Sequence, residues 1–200
     1  TTVTADGSGN WSYTPAALGE GLHTFEVTAT LNGQTSGRSP AASVTVDLTA
    51  PGTPAIGAVI DDVGPGTGPL TSGQTTNDNT PTLSGTGEPG SLVSLYDGSL
   101  LMTVMLIDSS GTWSYTVPTN LALNDRIHQF TVSATDAAGN VITSPIVVSV
   151  TVDTQAPGTP VILTATDDVG NAPTDLPTGS RSNDTLPLLK GTGTVDSTIT

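Results

Sequence analysis

Six aspartates carry most of the chain's potential for chemistry. Asp61 and Asp62 are adjacent, Asp78 follows them, Asp153 closes the same stretch, and Asp47 and Asp136 form a second set. A loop carboxylate can act as a general acid or base, cap a turn by accepting from backbone amides, or hold a hard cation through oxygen. An extended chain turns Asp61 and Asp62 to opposite faces, and neither a Ser, His and Asp set nor a Cys nucleophile accompanies them, so no catalysis is expected. Asp97, Asp108 and Asp125 are assigned to turn capping.

Other motifs lose their chemistry on inspection. Gly85-Thr86-Gly87-Glu88-Pro89-Gly90 has the letters of a dinucleotide loop, but Pro89 and a further strand pattern follow where a helix is needed. His23 and His128 occupy equivalent inward positions with no second His or Cys nearby, which predicts packed or edge-capping histidines. Trp113, Tyr115 and Val117 share one strand face and recur as Trp11, Tyr13 and Pro15, which predicts core.

The residues named above lie on or between strand patterns. His128, Phe130, Val132 and Ala134 alternate with Gln129, Thr131, Ser133 and Thr135, and Ile146, Val148, Val150 and Val152 alternate with Val147, Ser149 and Thr151. Gly, Pro, Asn and Asp clusters separate such runs, and no stretch has a helical apolar period. Seven strands are predicted, at about 55–61, 80–87, 91–97, 101–107, 112–118, 126–135 and 143–152. They imply an all-β, two-sheet antiparallel sandwich.

The sequence also repeats itself. Ala50-Pro51-Gly52-Thr53-Pro54 returns as Ala156-Pro157-Gly158-Thr159-Pro160, Asp61-Asp62-Val63-Gly64 as Asp167-Asp168-Val169-Gly170, and Gly85-Thr86-Gly87 as Gly191-Thr192-Gly193, at a period of about 106 residues. Gly9-Asn10-Trp11-Ser12-Tyr13 parallels Gly111-Thr112-Trp113-Ser114-Tyr115. Such a period marks an array in which each unit has the same mechanical role. One complete unit is expected at 48–153, with the later part of a unit at 1–47 and the earlier part of another at 154–200.

Eighteen acidic residues against four basic ones give a net charge of −14, which disfavours nucleic acid and anionic lipid as partners. Without cysteine the fold has no disulfides. Neither a signal peptide nor a membrane-length apolar run is present, as expected of an excerpt.

Taken together, Val152-Asp153-Thr154, Ala156-Pro157, the Asp-Asp-Val-Gly and Asn77-Asp78 elements, Gly111-Thr112-Trp113-Ser114-Tyr115 and Thr135-Asp136-Ala137-Ala138-Gly139-Asn140 resemble the bacterial Ig-like repeats of giant secreted adhesins. The resemblance spans the whole chain. It implies tandem Ig-like sandwiches on a Gram-negative cell surface, exported by a type I system and forming a long stalk that calcium stiffens. The first unit departs from it, since Thr30-Leu31-Asn32-Gly33 replaces the turn that carries Asp136.

Topology leads to calcium separately. In a seven-stranded Ig-like sandwich the loop after the first strand lies at the pole where the last strand leaves. Asp61, Asp62 and Asp78 are therefore expected beside the downstream linker at Asp153, and Asp136 beside the upstream linker at Asp47. Crowded carboxylates with few basic neighbours suit a cation that takes about 6 to 8 oxygen ligands. The expected function is a non-enzymatic, calcium-stiffened stalk. Its partners would be neighbouring repeats and, through domains elsewhere, a host or abiotic surface. The alternative is a carbohydrate-binding module of an exported polysaccharide-degrading enzyme. That module would display aromatics, whereas five of the seven here (Trp11, Tyr13, Phe25, Trp113, Phe130) fall on inferred core faces.

Overall fold

Period-2 runs become strands almost everywhere the alternation predicts them. The computed structural model describes residues 1–170 and 173–200, which form two units, 1–153 and 154–200. In the first unit lie β1 (Gly21–Phe25), β2 (Thr30–Leu31), β3 (Gln34–Thr35), β4 (Ala42–Val46), β5 (Ala55–Asp61), β6 (Gly68–Leu70), β7 (Thr75–Thr76) and β8 (Thr82–Thr86). They are followed by β9 (Leu92–Asp97), β10 (Leu100–Leu106), β11 (Thr112–Thr116), β12 (Arg126–Thr135), β13 (Val141–Thr143) and β14 (Val148–Val152). A single 3-10 turn, Thr119–Leu121, interrupts this all-β order among the described residues.

From residue 55 onward the strands of this unit build two sheets. One runs β10-β9-β12-β14-β7 with β13 beside β12, and the other runs β11-β8-β5-β6. Val59, Leu83, Trp113 and Val117 meet Val93, Leu95, Phe130, Val132, Val150 and Val152 in one core shared by both sheets. Fully burying such a side chain contributes about 1.5–3 kcal/mol, so this cluster holds the two sheets together. The fold is the all-β Ig-like sandwich expected.

Three details differ from the seven predicted strands, the first being that Gly68–Leu70 adds β6, paired antiparallel with the end of β5. The segment at 143–152 divides into β13 and β14, because Pro145 lacks an N–H and cannot extend a ladder. Within the long connection after β5, Thr75–Thr76 crosses to the other sheet and pairs in parallel with β14, the one parallel pairing in an otherwise antiparallel arrangement among the described strands.

Gly85 explains the misleading glycine motif. A Cβ there would lie 1.9 Å from the Ala55 carbonyl oxygen and 2.5 Å from the Trp113 ring, so only glycine lets β5 and Trp113 approach. Gly191 stands in the same relation to the Val161 carbonyl, at 2.1 Å.

Residues 1–47 correct one expectation. Trp113 is 5% exposed, whereas its counterpart Trp11 is 53% exposed, and Tyr13 and Phe25 are also exposed. The reason is local: β1 pairs only with β4, and β2 with β3, so 1–47 holds no counterparts of β5, β8 and β9 to cover those rings. The β2–β3 hairpin closes through Asn32-Gly33, both at positive φ (51° and 78°), the two-residue turn that fits strand twist.

The second unit holds β15 (Val161–Asp167), β16 (Thr174–Leu176) and β17 (Leu188–Thr192) in the order β16-β15-β17. This is the β6-β5-β8 arrangement of the first unit repeated.

Candidate functional site

At the downstream end of the sandwich, strand β5 ends on Asp61 with its side chain buried, and Asp78, two residues after β7, is buried as well. Asp61 Oδ1 accepts the Val63 amide at 2.8 Å and Oδ2 accepts the Thr76 hydroxyl at 2.5 Å. The same Thr76 oxygen accepts the Asp78 amide at 2.9 Å. Asp78 Oδ2 takes the Asp62 amide at 3.2 Å, and Oδ1 takes the amide and hydroxyl of Thr80 at 2.8 and 3.2 Å. The Asp153 amide donates to the Thr76 carbonyl at 2.9 Å.

Asp61, Asp62, Asp78 and Asp153 are thus gathered at one end, with Thr76 as the hub. That threonine was missed by sequence reasoning. Its signal was its place two residues before Asp78, where a hydroxyl can serve both an aspartate and an amide.

The second unit copies the network almost bond for bond. Asp167 accepts the Val169 amide at 3.0 Å and the Ser182 hydroxyl at 2.7 Å, and Ser182 Oγ accepts the Asp184 amide at 2.9 Å. Asp184 takes the amides of Asp168 and Leu186 at 3.3 and 2.7 Å. Ser182 replaces Thr76 and keeps the hydroxyl, while Leu186 replaces Thr80 and loses it.

At the upstream end Asp136 Oδ1 accepts the amides of Ala138, Gly139 and Asn140 at 2.9, 2.7 and 2.8 Å. Asp136 Oδ2 accepts the Asn140 side-chain amide at 2.8 Å. The Asn140 side-chain bond comes first among the causes that hold the Asp136 carboxyl below its ordinary range; burial opposes it, and the three backbone amides add to the lowering. The Asn140 amide group also donates to the Asp47 carbonyl at 3.1 Å, while Asp47 Oδ1 accepts the Thr49 amide at 3.0 Å. Asp47 and Asp136 are therefore linked through Asn140.

A carboxylate offers about four lone-pair sites. Asp136 fills four, Asp78 three and Asp61 two with protein donors. Spare acceptor capacity lies in the downstream cluster, which also has the exposed Asp62. As the side chains stand, no three His, Cys, Asp or Glu residues among the described ones converge closely enough to hold a metal ion.

The capping assigned to Asp108 is seen in its bonds to the amide and hydroxyl of Ser110. Asp97 differs: it is a buried ionic hub and no turn cap. Its Oδ2 is 2.8 Å from His128 Nδ1 and also accepts from the Arg126 guanidinium, and its Oδ1 accepts the Gln129 amide at 3.1 Å. Burial pushes this carboxyl up, but the His128 bond, the Gln129 amide and the charges of His128 and Arg126 outweigh it and hold the group below its ordinary range. Period-2 parity from Val93 and Leu95 places Asp97 on the inward face, a signal that the reading of isolated aspartates overlooked. His128 is packed as expected, with Nε2 2.9 Å from the Asn124 carbonyl, and His23 repeats that contact with Gly19 at 2.7 Å.

A shallow depression on the sandwich is lined by Ser84, Thr86, Asp108, Thr112 and Trp113. Trp113 is too buried to offer a stacking face. None of the helical structure among the described residues is long and apolar enough to cross a membrane.

No curated protein matches the chain. Residues 54–154 match the family profile of the bacterial Ig-like domain, a span that opens just before β5 and closes just after Asp153. Sandwich topology, repeat period and this match agree, and the chain belongs to the bacterial Ig-like domain family.

Proposed function

We propose that the chain is a stretch of an extracellular stalk on a bacterial surface, in which Ig-like repeats act as spacers for an adhesive region elsewhere and calcium fixes the junctions. The observation that carries this reading is the copying of the Asp61–Thr76–Asp78 network as Asp167–Ser182–Asp184. A unit that repeats its polar end-structure suits mechanical work more than recognition. The chemistry of the donors supports calcium, since the downstream cluster is all oxygen. Asp61, Asp62, Asp78 and Asp153 would hold the ion there, which would neutralise the acidic pole and couple it to the linker. At Asp47 with Asp136 an ion would have to displace amide donors. No catalytic role is included.

The test is thermal unfolding of the chain in millimolar calcium and in excess chelator. An ion bound only by the folded state raises the melting temperature by mass action. Superimposable curves would remove calcium from the proposal. Glycan-array binding would favour the carbohydrate-binding alternative instead.

A further inference from the structure

Asn140 uses both hydrogens of one amide group, and their acceptors belong to different parts of the array. One bond goes to Asp136 Oδ2 within its own loop, the other to the carbonyl of Asp47, which directly follows β4, the last strand of the preceding repeat. Two further bonds flank this one. Thr49 in the linker donates its hydroxyl to Glu20 of the preceding repeat at 2.7 Å, and the Gly52 amide donates to Glu88 of the following repeat at 2.7 Å. The last bond has a counterpart in the second unit, where the Gly158 amide donates to Thr194 Oγ1 at 2.8 Å.

We infer that the 136–140 loop is a docking surface for the preceding repeat, a clasp made of protein hydrogen bonds that sets the angle at the upstream junction without metal. The partner is the end of the repeat before it, represented in this chain by Glu20 and Asp47. Asp136 holds the loop in shape by collecting its amides, Asn140 reaches out of it, and Glu20 and Glu88 grip the linker from either side. The first repeat has a two-residue Asn32-Gly33 turn at the equivalent position, with no counterpart of Asp136 and its amide cage. The two loops of this chain therefore differ: the Asp-Ala-Ala-Gly-Asn loop builds the clasp, and the Asn32-Gly33 turn lacks its residues.

This inference builds on the stalk reading but stands apart from its calcium. The chain has no cysteine, so spin labels can be placed at Leu22→Cys on β1 and Ile127→Cys on β12, both exposed. Pulsed dipolar spectroscopy on the full chain, in excess chelator, reads the spread of distances between the two repeats. Asn140→Ala and Thr49→Val should each broaden that spread, with the clasped population falling about fivefold relative to open ones, the factor that one hydrogen bond of ordinary net strength supports. Melting of the chain should change little, since Asn140 and Thr49 lie outside the core. An unchanged distribution in both variants overturns the clasp. A distribution that is broad in the unsubstituted chain and narrows only when calcium is added overturns it as well, while supporting the stalk reading.

Discussion

Asp97, Arg126 and His128 show how one residue type can have opposite roles in a single domain. Arg126 is the sole Lys or Arg between residues 48 and 153, and it pairs with the buried carboxylate of Asp97. Replacing Asp97 with Ala leaves a buried imidazole and a guanidinium without their acceptor, and loss of one partner of such a group costs about 3–5 kcal/mol. Denaturant unfolding at neutral pH should show that loss. The pH dependence follows from the lowered carboxyl of Asp97. A group whose folded value lies below its unfolded one contributes stability above the ordinary carboxylate range and loses it as pH falls through the folded value. The difference between wild type and Asp97→Asn should therefore shrink on acidification, and a gap that widens in acid would contradict the ionised hub. Thr76→Val offers a second check. Asp61 and the Asp78 amide would each lose a buried partner, at about 1–3 kcal/mol, whereas Thr80→Val should be mild because Leu186 already stands at that position in the next copy.

At the scale of elements, alternation and turn residues made the strands legible, since a one-residue slip would expose Phe130 and Val132. Crossings were harder to read. Thr75–Thr76 is too short to show a period, and its parallel pairing with β14 depends on where the connection after β5 runs. The two ends of the site were legible through topology, because strand order decides which loops share a pole. The bonds that join them were not, since Thr76 and Asn140 act by hydrogen-bond geometry. Core faces read from Trp113 failed at Trp11 because a strand buries a ring only if its neighbours are present. Gly85→Ala tests the close approach of β5, β8 and β11. The added methyl meets a backbone oxygen and the Trp113 ring, and overpacking of this kind costs about 1–3 kcal/mol or more, which a drop in denaturation midpoint at constant slope would register.

For the whole molecule, the proposed stalk role turns on how repeats are joined. The repeats at 1–47 and 48–153 are each followed by a short linker that opens on Asp47 or Asp153 and reaches a proline four residues on, and proline geometry already narrows the hinge before any ion binds. Asp153 follows β14 and donates its amide to the Thr76 carbonyl, so its backbone is tied to the cluster that would hold calcium. The most direct measurement is small-angle scattering from a tandem protein of two copies of residues 48–153, in millimolar calcium and in excess chelator, with Asp153→Ala beside it. A calcium-stiffened stalk requires a maximum dimension that is greater and more sharply defined in calcium than in chelator for the unsubstituted protein, and insensitive to calcium in the variant. A wild-type tandem whose dimension and flexibility are the same in both conditions would contradict the calcium-stiffened stalk.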